Sequence, residues 1–597
     1  MASDTFSPKY KDLVSLFEHS VERYGERPLF GTKEGGEWKW MSYGEFHTHV
    51  TEVRGGLASL GIGTDGVVAI IADNRPEWAV GAYATYSLGG RYVPMYESQV
   101  PKDWAYIIRD CASKVVFCAT REIFDAVSAM KGDIETLEHV ILLGKGKADG
   151  GLTYDELRKK GRESPTDIHK PDPKDIAGFI YTSGTTGKPK GVLLSHENLA
   201  SNVSAMHAVF PMSPDDRSLS FLPWAHSFGQ TVELHALFSM GASLGIAESV
   251  PKIVENLAEV RPTLLFSVPR IFNKIHDGVL KKVEEDGGLK KKLFYAALDT
   301  ARQKKELAEQ HKTSGFVDLK HKFLDGLVSK KIRDRFGGRL KYAFSGGAAI
   351  NKEVAEFIDA LGILVYEGYG LTETSPIATA NWPGARKIGS VGKAIPGVRI
   401  EIDRTVTEDP KHGEIIVYGH NVMQGYHDLP EENAKVFTDD GGFRTGDMGY
   451  LDEDGFLYIT GRIKEQYKLE NGKYVVPAPL EEGLQLSPFI NQAFVYGDNR
   501  LFNVALIVPD MPALTKWCDE NGISGSPAEL VKHERVVAMM REQIDKSSGD
   551  FKQFEKIKKF QLIAEEFTVA NGLLTPKMSV KRQKVIDRYK DDLAALY

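Results

Sequence analysis

Short apolar runs alternate with helix-spaced patterns along the first part of the chain. The apolar runs occupy residues 67–71, 115–118, 140–143 and 176–181, and a helical pattern occupies residues 78–88. Short apolar strands that alternate with helices are typical of parallel sheets covered on both faces. The pattern therefore predicts an α/β fold.

Two amphipathic helices are predicted near the N-terminus. The first spans residues 9–23 and carries a helically spaced apolar stripe formed by Leu13, Leu16, Phe17 and Val21. Its polar face is mixed in sign rather than basic, so the stripe is expected to pack in the core rather than on a membrane. Ser42 and Glu45 form a capping-box pattern that opens a second helix running to about Leu60.

Two further βα units follow, with strands predicted at residues 218–222 and 263–268. The segment 281–335 then becomes rich in charge, which predicts a solvated pair of surface helices, with membrane or partner docking as the alternative. One face of its helical pattern is expected to carry Leu289, Leu293, Ala297 and Ala301.

The middle of the chain holds two apolar strands that each end in glycine and then a polar cluster. They are YAFSGGAAI at residues 342–350 and VYEGYGLTETSP at residues 365–376, and this pattern is typical of a site rather than of packing. Residues 391–458 are rich in β-branched residues and turn signals and predict a β-rich subdomain. Beyond it, LENGKYVVP predicts a hairpin and residues 504–508 a strand.

The predicted organisation is a large domain followed by a small one. The expected fold class is α/β, with a large N-terminal domain of two α/β sheet subdomains plus a β-rich subdomain, followed by a small mobile α+β C-terminal domain. We place the first at residues 1–462, with a helical insertion at 281–335, and the second at residues 463–597. The GRIKE turn at residues 461–465 is the expected hinge.

Composition narrows the class of protein. A chain of 597 residues is too long to fold around a single hydrophobic core, so two or more domains are expected. Its content of 42% hydrophobic and 26% charged residues is ordinary for a globular protein. The net charge of −7 predicts no nucleic-acid partner. Cys111, Cys118 and Cys518 show no metal or disulfide pattern, so a reducing compartment is expected, with Cys111 and Cys118 as small core residues.

The N-terminus carries acids and lacks the apolar segment of a secretory signal. No apolar stretch approaches the roughly eighteen residues of a membrane span. A cytoplasmic protein is expected, with peripheral contact at the inner face of a membrane as an alternative.

The stretch YTSGTTGKPKG, residues 181–191, has the chemistry of a phosphate-binding loop. Glycines let backbone N–H groups approach a phosphate, and hydroxyls and lysines supply donors and charge. A Walker A loop does not fit, because only two residues separate Gly184 from Gly187 and Pro189 stands where the magnesium-binding hydroxyl belongs. The remaining alternative is a glycine-rich surface loop with solvated lysines.

YTSGTTGKPKG followed by LLSHENL resembles the phosphate-loop signature of the adenylate-forming (AMP-binding) superfamily, which includes acyl-CoA synthetases, luciferases and peptide-synthetase adenylation domains. The resemblance covers almost the whole chain. It implies that ATP is bound by the loop residues Thr182, Ser183, Gly184, Thr185, Thr186, Gly187 and Lys188.

The same resemblance implies roles for residues outside the loop. Thr372 and Glu373 in GYGLTE are similar to the pair that holds the α-phosphate and Mg²⁺, and His226 in LPWAHSFGQ to the residue that shapes the acyl-carboxylate pocket. The expected adenosine contacts are Gly347 and Ala348 beside Gly346, then Glu367, Gly368 and Tyr369, with Asp447 on the ribose and Arg462 near ribose and phosphate. Lys464 falls at the family's hinge position.

The C-terminal motif departs from the family pattern. Many relatives carry a lysine that bridges carboxylate and α-phosphate during adenylation, and the corresponding stretch here is LLTPKMSVKR, residues 573–582. With a one-residue deletion Lys581 matches that lysine, and without it the position falls between Lys577 and Ser579. We choose Lys581 as the catalytic lysine.

Within the superfamily, LPWAHSFGQ, the helical insertion, NGKYVVP and LLTPKMSVKR resemble long-chain fatty-acid CoA ligases. That resemblance implies a fatty acid, ATP and CoA as substrates and Mg²⁺ as the metal. A fatty acyl-AMP ligase that transfers to a carrier protein, and a catalytically impaired nucleotide-binding relative, are the alternatives. Chain-length preference and oligomeric state do not follow from the sequence.

Overall fold

The computed structural model describes residues 6–183, 188–407, 410–549, 551–575 and 578–597. These residues divide into two compact units. Unit 1 takes in the described residues of Met1–Glu401, Ile416–Arg444 and Asp452–Leu457, and unit 2 those of Ile402–Ile415, Thr445–Leu451 and Tyr458–Tyr597. The domain boundary at residues 462/463 stays a prediction.

The strands alternate with helices through most of unit 1. In chain order the strands are β1 (Pro28–Glu34), β2 (Glu37–Ser42), β3 (Val67–Ile71), β4 (Arg91–Met95), β5 (Val115–Cys118), β6 (His139–Leu142), β7 (Leu152–Thr153), β8 (Ile176–Ser183), β9 (Pro189–Ser195), β10 (Arg217–Ser220), β11 (Ser243–Ile246), β12 (Leu264–Ser267), β13 (Tyr342–Ser345), β14 (Val365–Gly370), β15 (Ile377–Ala380) and β16 (Lys393–Ala394). The later strands are β17 (Val398–Asp403), β18 (Gly413–Gly419), β19 (Gly425–Tyr426), β20 (Phe443–Leu451), β21 (Leu457–Arg462), β22 (Tyr467–Lys468), β23 (Tyr474–Val475), β24 (Ile490–Tyr496), β25 (Asn503–Pro509) and β26 (Ile557–Leu562).

These strands form two large sheets and several smaller ones within the described part of the chain. Sheet A runs in the order β16-β15-β14-β13-β12-β10-β11-β1-β2, and sheet B in the order β19-β9-β8-β4-β3-β5-β6-β7. The smaller sheets are β17-β18-β20-β21, the hairpin β22-β23, and β24-β25-β26. Two large sheets, a β-rich region and a small C-terminal α+β region agree with the predicted fold class.

The helices of the first half are α1 (Leu13–Tyr24), α2 (Tyr43–Ser59), α3 (Pro76–Tyr86), α4 (Pro101–Asp110), α5 (Arg121–Met130), α6 (Tyr154–Glu163), α7 (His196–Val209), α8 (Ala236–Met240), α9 (Ile253–Val260) and α10 (Pro269–Asp286). The later ones are α11 (Gly288–Glu309), α12 (Gly315–Leu324), α13 (Lys330–Asp334), α14 (Lys352–Ala360), α15 (Pro430–Val436), α16 (Pro477–Leu484), α17 (Met511–Glu520), α18 (Pro527–Leu530), α19 (Glu534–Ser547), α20 (Arg582–Arg588) and α21 (Lys590–Ala595). Phe228–His235 and Asp325–Ser329 are π-helical, and Val250–Lys252, Thr372–Thr374 and Arg404–Val406 are short 3₁₀ turns.

The N-terminal helix predictions are confirmed with small shifts. Helix α1 begins at Leu13 rather than at residue 9, because the Asp12 side chain accepts from the Ser15 N–H and caps the helix there. The capping box of Ser42 and Glu45 is present at the start of α2. In the predicted stripe of α1, Leu13, Leu16 and Phe17 are buried in the core, whereas Val21 is partly exposed.

Besides the predicted parallel strands, both large sheets contain antiparallel pairs, among them β1-β2 and β14-β15 in sheet A and β8-β9 in sheet B. Strand β8 is parallel to β4 but antiparallel to β9, with Thr182 paired to Lys190, and β9 is in turn antiparallel to β19. The phosphate-loop motif therefore links two antiparallel strands. The sequence pattern did not predict this antiparallel pairing, because β9 lies immediately after a glycine-rich turn.

Residues 281–335 are largely helical and contain α11, α12 and α13, but their predicted apolar face is only partly correct. Helix α11 buries Phe294, Ala297, Leu298 and Thr300. Leu289 is exposed instead, because it lies in the first turn of the helix beyond the packed region. The turn LENGKYVVP does form a hairpin, with Tyr467 paired to Val475. All three cysteines are free, Cys111 and Cys118 are buried as predicted, and Cys518 is buried as well.

Candidate active site

The parallel strands β10, β12, β13 and β14 lie side by side in sheet A, so their carboxyl ends meet at one edge. Ser345, the last residue of β13, pairs with Ser267 of β12 on one side and with Glu367 of β14 on the other. In open α/β sheets the ligand binds beyond this edge. The predicted motifs LPWAHSFGQ, SGGA and GYGLTE all follow these strands.

The segment after β10 is held firmly by side-chain hydrogen bonds. Buried Trp224 donates its backbone N–H to Asn74 Oδ1 at 2.8 Å and its indole N–H to Ser220 Oγ at 3.1 Å. Asn74 Nδ2 also donates to the Leu222 carbonyl at 2.8 Å. These hydrogen bonds hold the segment that leads into the turn of His226.

His226 has a defined ring orientation. Its Nδ1 lies 3.1 Å from the backbone N–H of Phe228 and accepts that hydrogen bond. In the neutral ring the proton therefore sits on Nε2, which leaves Nε2–H as a donor. The arrangement suits positioning of an anionic group rather than proton abstraction.

The fully buried carboxyl group of Glu233 is connected to the same segment by hydrogen bonds. Glu233, in the π-helical turn Phe228–His235, accepts from Ser218 Oγ at 2.6 Å and from Ser220 Oγ at 2.7 Å. Burial raises the pKa of the Glu233 carboxyl to about 7, although the serine hydroxyls oppose the shift. Ser220 in turn accepts from Trp224, so this carboxyl lies one hydrogen bond from the loop.

This burial predicts a pH-dependent stability. The raised pKa means that the folded protein holds the Glu233 proton where the unfolded chain has lost it, so stability from this group falls as pH rises. Glu233→Gln removes the titration. Between about pH 5 and pH 7.5, we expect the free energy of unfolding of the wild type to fall by about 2 kcal/mol relative to that of the variant. Urea unfolding at each pH measures it. A difference that does not change with pH would contradict this assignment.

The loop after β13 approaches the loop after β10 closely. A Cβ added at Gly346 would lie 3.2 Å from the Phe228 ring, so only glycine fits there without displacement. Gly347 has φ +84°, a left-handed conformation that favours glycine, and it is exposed together with Ala348. Ser345 Oγ is buried and has no partner among the described residues.

The next strand, β14, carries three more of the predicted adenosine contacts. Glu367 is buried, and its Oε1 accepts from the Ile350 N–H at 3.1 Å. Burial raises the pKa of the Glu367 carboxyl to about 7. Tyr369 pairs with Thr379 and is half-buried, and a Cβ at Gly368 would lie 3.2 Å from the Thr379 carbonyl.

Thr372 and Glu373 contact residues from two other segments. Buried Thr372 lies with its Oγ1 3.3 Å from Ser227 Oγ, directly after His226. Glu373 Oε1 accepts from the Tyr426 hydroxyl at 2.9 Å, and its carbonyl accepts from the Met423 N–H at 2.9 Å. Burial, and then the charge of Glu373, raise the pKa of Tyr426, so its hydroxyl remains a donor.

The phosphate-loop hairpin reaches the same cluster through Tyr426. Lys190 Nζ lies 5.1 Å from the centre of the Tyr426 ring and 2.6 Å from Glu432 Oε2. Lys188 is exposed, with Nζ 5.7 Å from the Tyr106 ring centre. Thr182 and the backbone of Ser183 belong to β8, whereas Gly184, Thr185, Thr186 and Gly187 lie outside the described residues.

Asp447 and Arg462 lie in unit 2 and form an ion pair. Arg462 Nε is 2.9 Å from Asp447 Oδ1, and the carboxylate is almost fully buried whereas the guanidinium is half exposed. Thr445 Oγ1 accepts from the Asp447 N–H at 3.0 Å. Gly446 between them has φ +70° and donates to Glu414 Oε1 at 3.1 Å. Lys464 follows in an exposed turn.

Lys581 and its neighbour have opposite environments. Lys581 is exposed at the start of α20, and only its backbone is held, by a 2.8 Å bond to the Leu573 carbonyl. Arg582 instead forms a 2.6 Å ion pair with buried Glu481 and stacks on Phe494 at 4.4 Å. The structure thus anchors the segment through Arg582. Lys577 lies outside the described residues.

Several residues of this cluster escaped the sequence analysis. Tyr426, Ser227, Asn74 and Glu233 carry no motif of their own, and their partners lie far away in the chain. Tyr426 is 53 residues from Glu373, and Asn74 is 150 residues from Trp224. Ser227 could have been found, since it adjoins His226 in the motif that was singled out.

Comparison with known proteins adds to this geometry. The family model described as AMP-binding enzyme matches residues 17–427, and the model for the AMP-binding enzyme C-terminal domain matches residues 464–597. The chain is 32% identical to the peroxisomal long chain acyl-CoA synthetase 6 of Arabidopsis thaliana, over 99% of this chain and 87% of the relative. It is also 32% identical to the long-chain-fatty-acid–CoA ligase FadD15 of Mycobacterium tuberculosis, over 94% and 93%.

Solved structures share the fold at lower identity. The adenylation domain of a carboxylate reductase from Mycobacterium chelonae superposes with a TM-score of 0.78 at 22% identity, covering 99% of this chain and 92% of that one. The anthranilate CoA ligase AuaEII, solved with anthranoyl-AMP, gives a TM-score of 0.75 at 20% identity, with both chains fully covered. Together with the match of the family models over most of its length, this places the chain in the AMP-binding (adenylate-forming) enzyme family.

Proposed function

We propose that the protein is a long-chain fatty-acid–CoA ligase. The fatty-acid carboxylate attacks the α-phosphorus of ATP, the bond to pyrophosphate breaks, and acyl-AMP forms. The thiol of CoA then attacks the acyl carbonyl, and AMP leaves. The observation that carries the proposal is that the His226 turn meets the Thr372–Glu373 segment at the carboxyl edge of sheet A, and that Tyr426 connects Glu373 to Lys190 of sheet B.

The first step brings two anions together, so the protein must supply donors and positive charge. We assign Thr372 to donate its hydroxyl to the α-phosphate, with the adjacent Ser227 holding that hydroxyl in place. His226, through Nε2–H, positions the fatty-acid carboxylate. Lys188 and the backbone of the hairpin attract the outer phosphates of ATP.

Glu373 is the residue we propose to hold Mg²⁺. The Tyr426 hydroxyl engages one carboxylate oxygen, and no partner is seen on the other among the described residues. The described residues contain no group of three or more His, Cys, Asp or Glu side chains suited to a metal. A single hard carboxylate fits Mg²⁺, which keeps waters and substrate phosphates as its other ligands. When bound, Mg²⁺ neutralises phosphate charge.

For the nucleoside we propose that adenine lies between Tyr369 and the exposed backbone of Gly347 and Ala348, beside Glu367 and Gly368. The unpartnered Ser345 hydroxyl at the same strand end offers a further polar group. The ribose hydroxyls would donate to Asp447, whose carboxylate pairs with Arg462. Lys464 is the proposed pivot of the small domain between the two steps.

Asp447→Ala should lower the catalytic efficiency with ATP while the variant still folds. Loss of a charged acceptor for the ribose hydroxyls is expected to lower kcat/KM for ATP about tenfold or more. The sharper measurement compares ATP with 2′-deoxy-ATP in wild type and variant. Wild type should discriminate between the two nucleotides, whereas the variant should not. Equal discrimination in both proteins would place the ribose elsewhere.

The function is tested by incubating the purified protein with Mg-ATP and palmitate, with and without CoA, and measuring acyl-AMP and acyl-CoA by mass spectrometry. Palmitoyl-CoA formed only with CoA is the expected result. Acyl-AMP that persists in the presence of CoA would favour the carrier-protein ligase. ATP binding without either product, across short and aromatic acids as well, would favour the impaired relative.

The location we propose is cytoplasmic, with peripheral contact at a membrane that supplies the fatty acid. Among the residues that the structure describes, no helix has the length and apolar character needed to cross a bilayer.

A further inference from the structure

The insertion helix, residues 315–334, comprises α12, the π-helical turn that follows it and α13. Four large apolar side chains on it face solvent: Phe316 is 76% exposed, Leu319 70%, Phe323 67% and Leu327 37%. Their spacing of three, four and four residues places them on one side of the helix, along about 16 Å of its axis. Exposed apolar side chains gathered in one stripe indicate an interaction surface.

The other side of the insertion helix is packed into unit 1. Val317, Leu324 and Ser329 are buried, and the Ser314 hydroxyl accepts from the Val317 N–H and caps the helix. Arg333 forms a double ion pair with Asp325 at 2.7 and 2.8 Å and also donates to the Leu361 carbonyl. The opposite side of the helix is therefore anchored in unit 1, and the apolar stripe faces solvent.

The charge around the stripe is strongly positive. Residues 312–335 contain seven Lys or Arg and three Asp, a formal net charge of +4 in a chain whose total is −7. Two of the acids are neutralised, Asp325 by Arg333 and Asp318 by Lys304 at 3.3 Å. Exposed Lys320, Lys322, Lys330 and Lys331 have no ion pair within the described ranges.

We propose that the insertion helix lies flat on an anionic lipid surface, with Phe316, Leu319, Phe323 and Leu327 inserted among the acyl chains and the lysines beside lipid phosphates. An apolar stripe flanked by lysines is the pattern of an interfacial helix. Long lysine side chains bury their methylene stems while their charges reach the headgroups. The local charge of +4 complements an anionic surface and would repel a basic one.

This surface goes beyond the ligase reaction and can be tested without it. The full-length protein is floated with phosphatidylcholine vesicles that contain or lack phosphatidylglycerol, at low and at high salt. We expect the protein to bind the anionic vesicles and the binding to weaken at high salt. Each removed lysine should lower the vesicle affinity about fivefold. Phe316→Ser with Phe323→Ser should weaken it about tenfold or more. The matched control Leu501→Ser removes an equally exposed apolar side chain from unit 2 and should bind as wild type.

Folding is checked by unfolding curves, and Lys320→Gln with Lys322→Gln provides a variant that leaves the apolar stripe intact. Anionic vesicle binding that both variants lose supports the proposal. Equal flotation with neutral vesicles, or equal binding by wild type and both variants, overturns it. Sedimentation velocity that shows a dimer dissociated by Phe316→Ser with Phe323→Ser would also overturn it, because the stripe would then be a contact between two copies.

Discussion

Glu373→Gln is expected to slow acyl-adenylate formation about a thousandfold, a loss of about 4 kcal/mol of transition-state stabilisation. Glutamine has nearly the same size, and its side-chain oxygen can still accept from Tyr426, so the 2.9 Å contact is retained. What disappears is the negative charge that we assign to Mg²⁺. The reaction is followed by exchange of labelled pyrophosphate into ATP, which reports the first step alone.

The control for this variant is Tyr426→Phe, which keeps the carboxylate and removes only the hydroxyl that orients it. We expect a loss of about tenfold or less, the scale of one hydrogen bond. Raised magnesium should partly rescue Glu373→Gln but not Tyr426→Phe. If Glu373→Gln retains near wild-type exchange, Glu373 is a structural partner of Tyr426 and the metal is held elsewhere.

Lys581→Ala is expected to slow adenylation about 150-fold, a loss of about 3 kcal/mol, because the step loses one charge donor to two anions. The side chain is exposed, so its removal should leave the fold unchanged. Thioester formation from supplied acyl-AMP and CoA should proceed at the wild-type rate, since the lysine is assigned to the first step only. Single-turnover measurements of each step provide the comparison.

Lys577→Ala is the matched variant for this assignment. If Lys577→Ala abolishes adenylation and Lys581→Ala does not, the alignment without a deletion is the correct one. Loss of both steps in Lys581→Ala would indicate damage to the segment instead, as expected for Arg582→Ala, which breaks the ion pair with Glu481. Equal activity of all the lysine variants would remove the lysine from the mechanism.

The alternation of apolar runs and helical patterns predicted the α/β class, and local signals predicted element ends. Val67–Ile71 is a strand at the predicted residues, and Ser42 with Glu45 caps α2, because both depend on neighbours in the chain. The hairpin β8-β9 was missed, although its turn was recognised. The pairing of β8 with β9 is local, and the further pairing of β9 with β19 joins strands more than two hundred residues apart.

The sequence by itself determined the chemistry that the chain carries: hydroxyls, lysines and glycines in the hairpin, a carboxylate in GYGLTE, and a buried-strand pattern before each of them. Tertiary structure alone decided which side chains meet. The order of strands in the sheets brings together residues that are distant in the chain. The resulting hydrogen bonds join Tyr426 to Glu373, Ser227 to Thr372, and Glu233 through Ser220 to Trp224. It also decided that Phe316 and Phe323 face solvent, because helical spacing defines the faces of a helix but not which face the core covers.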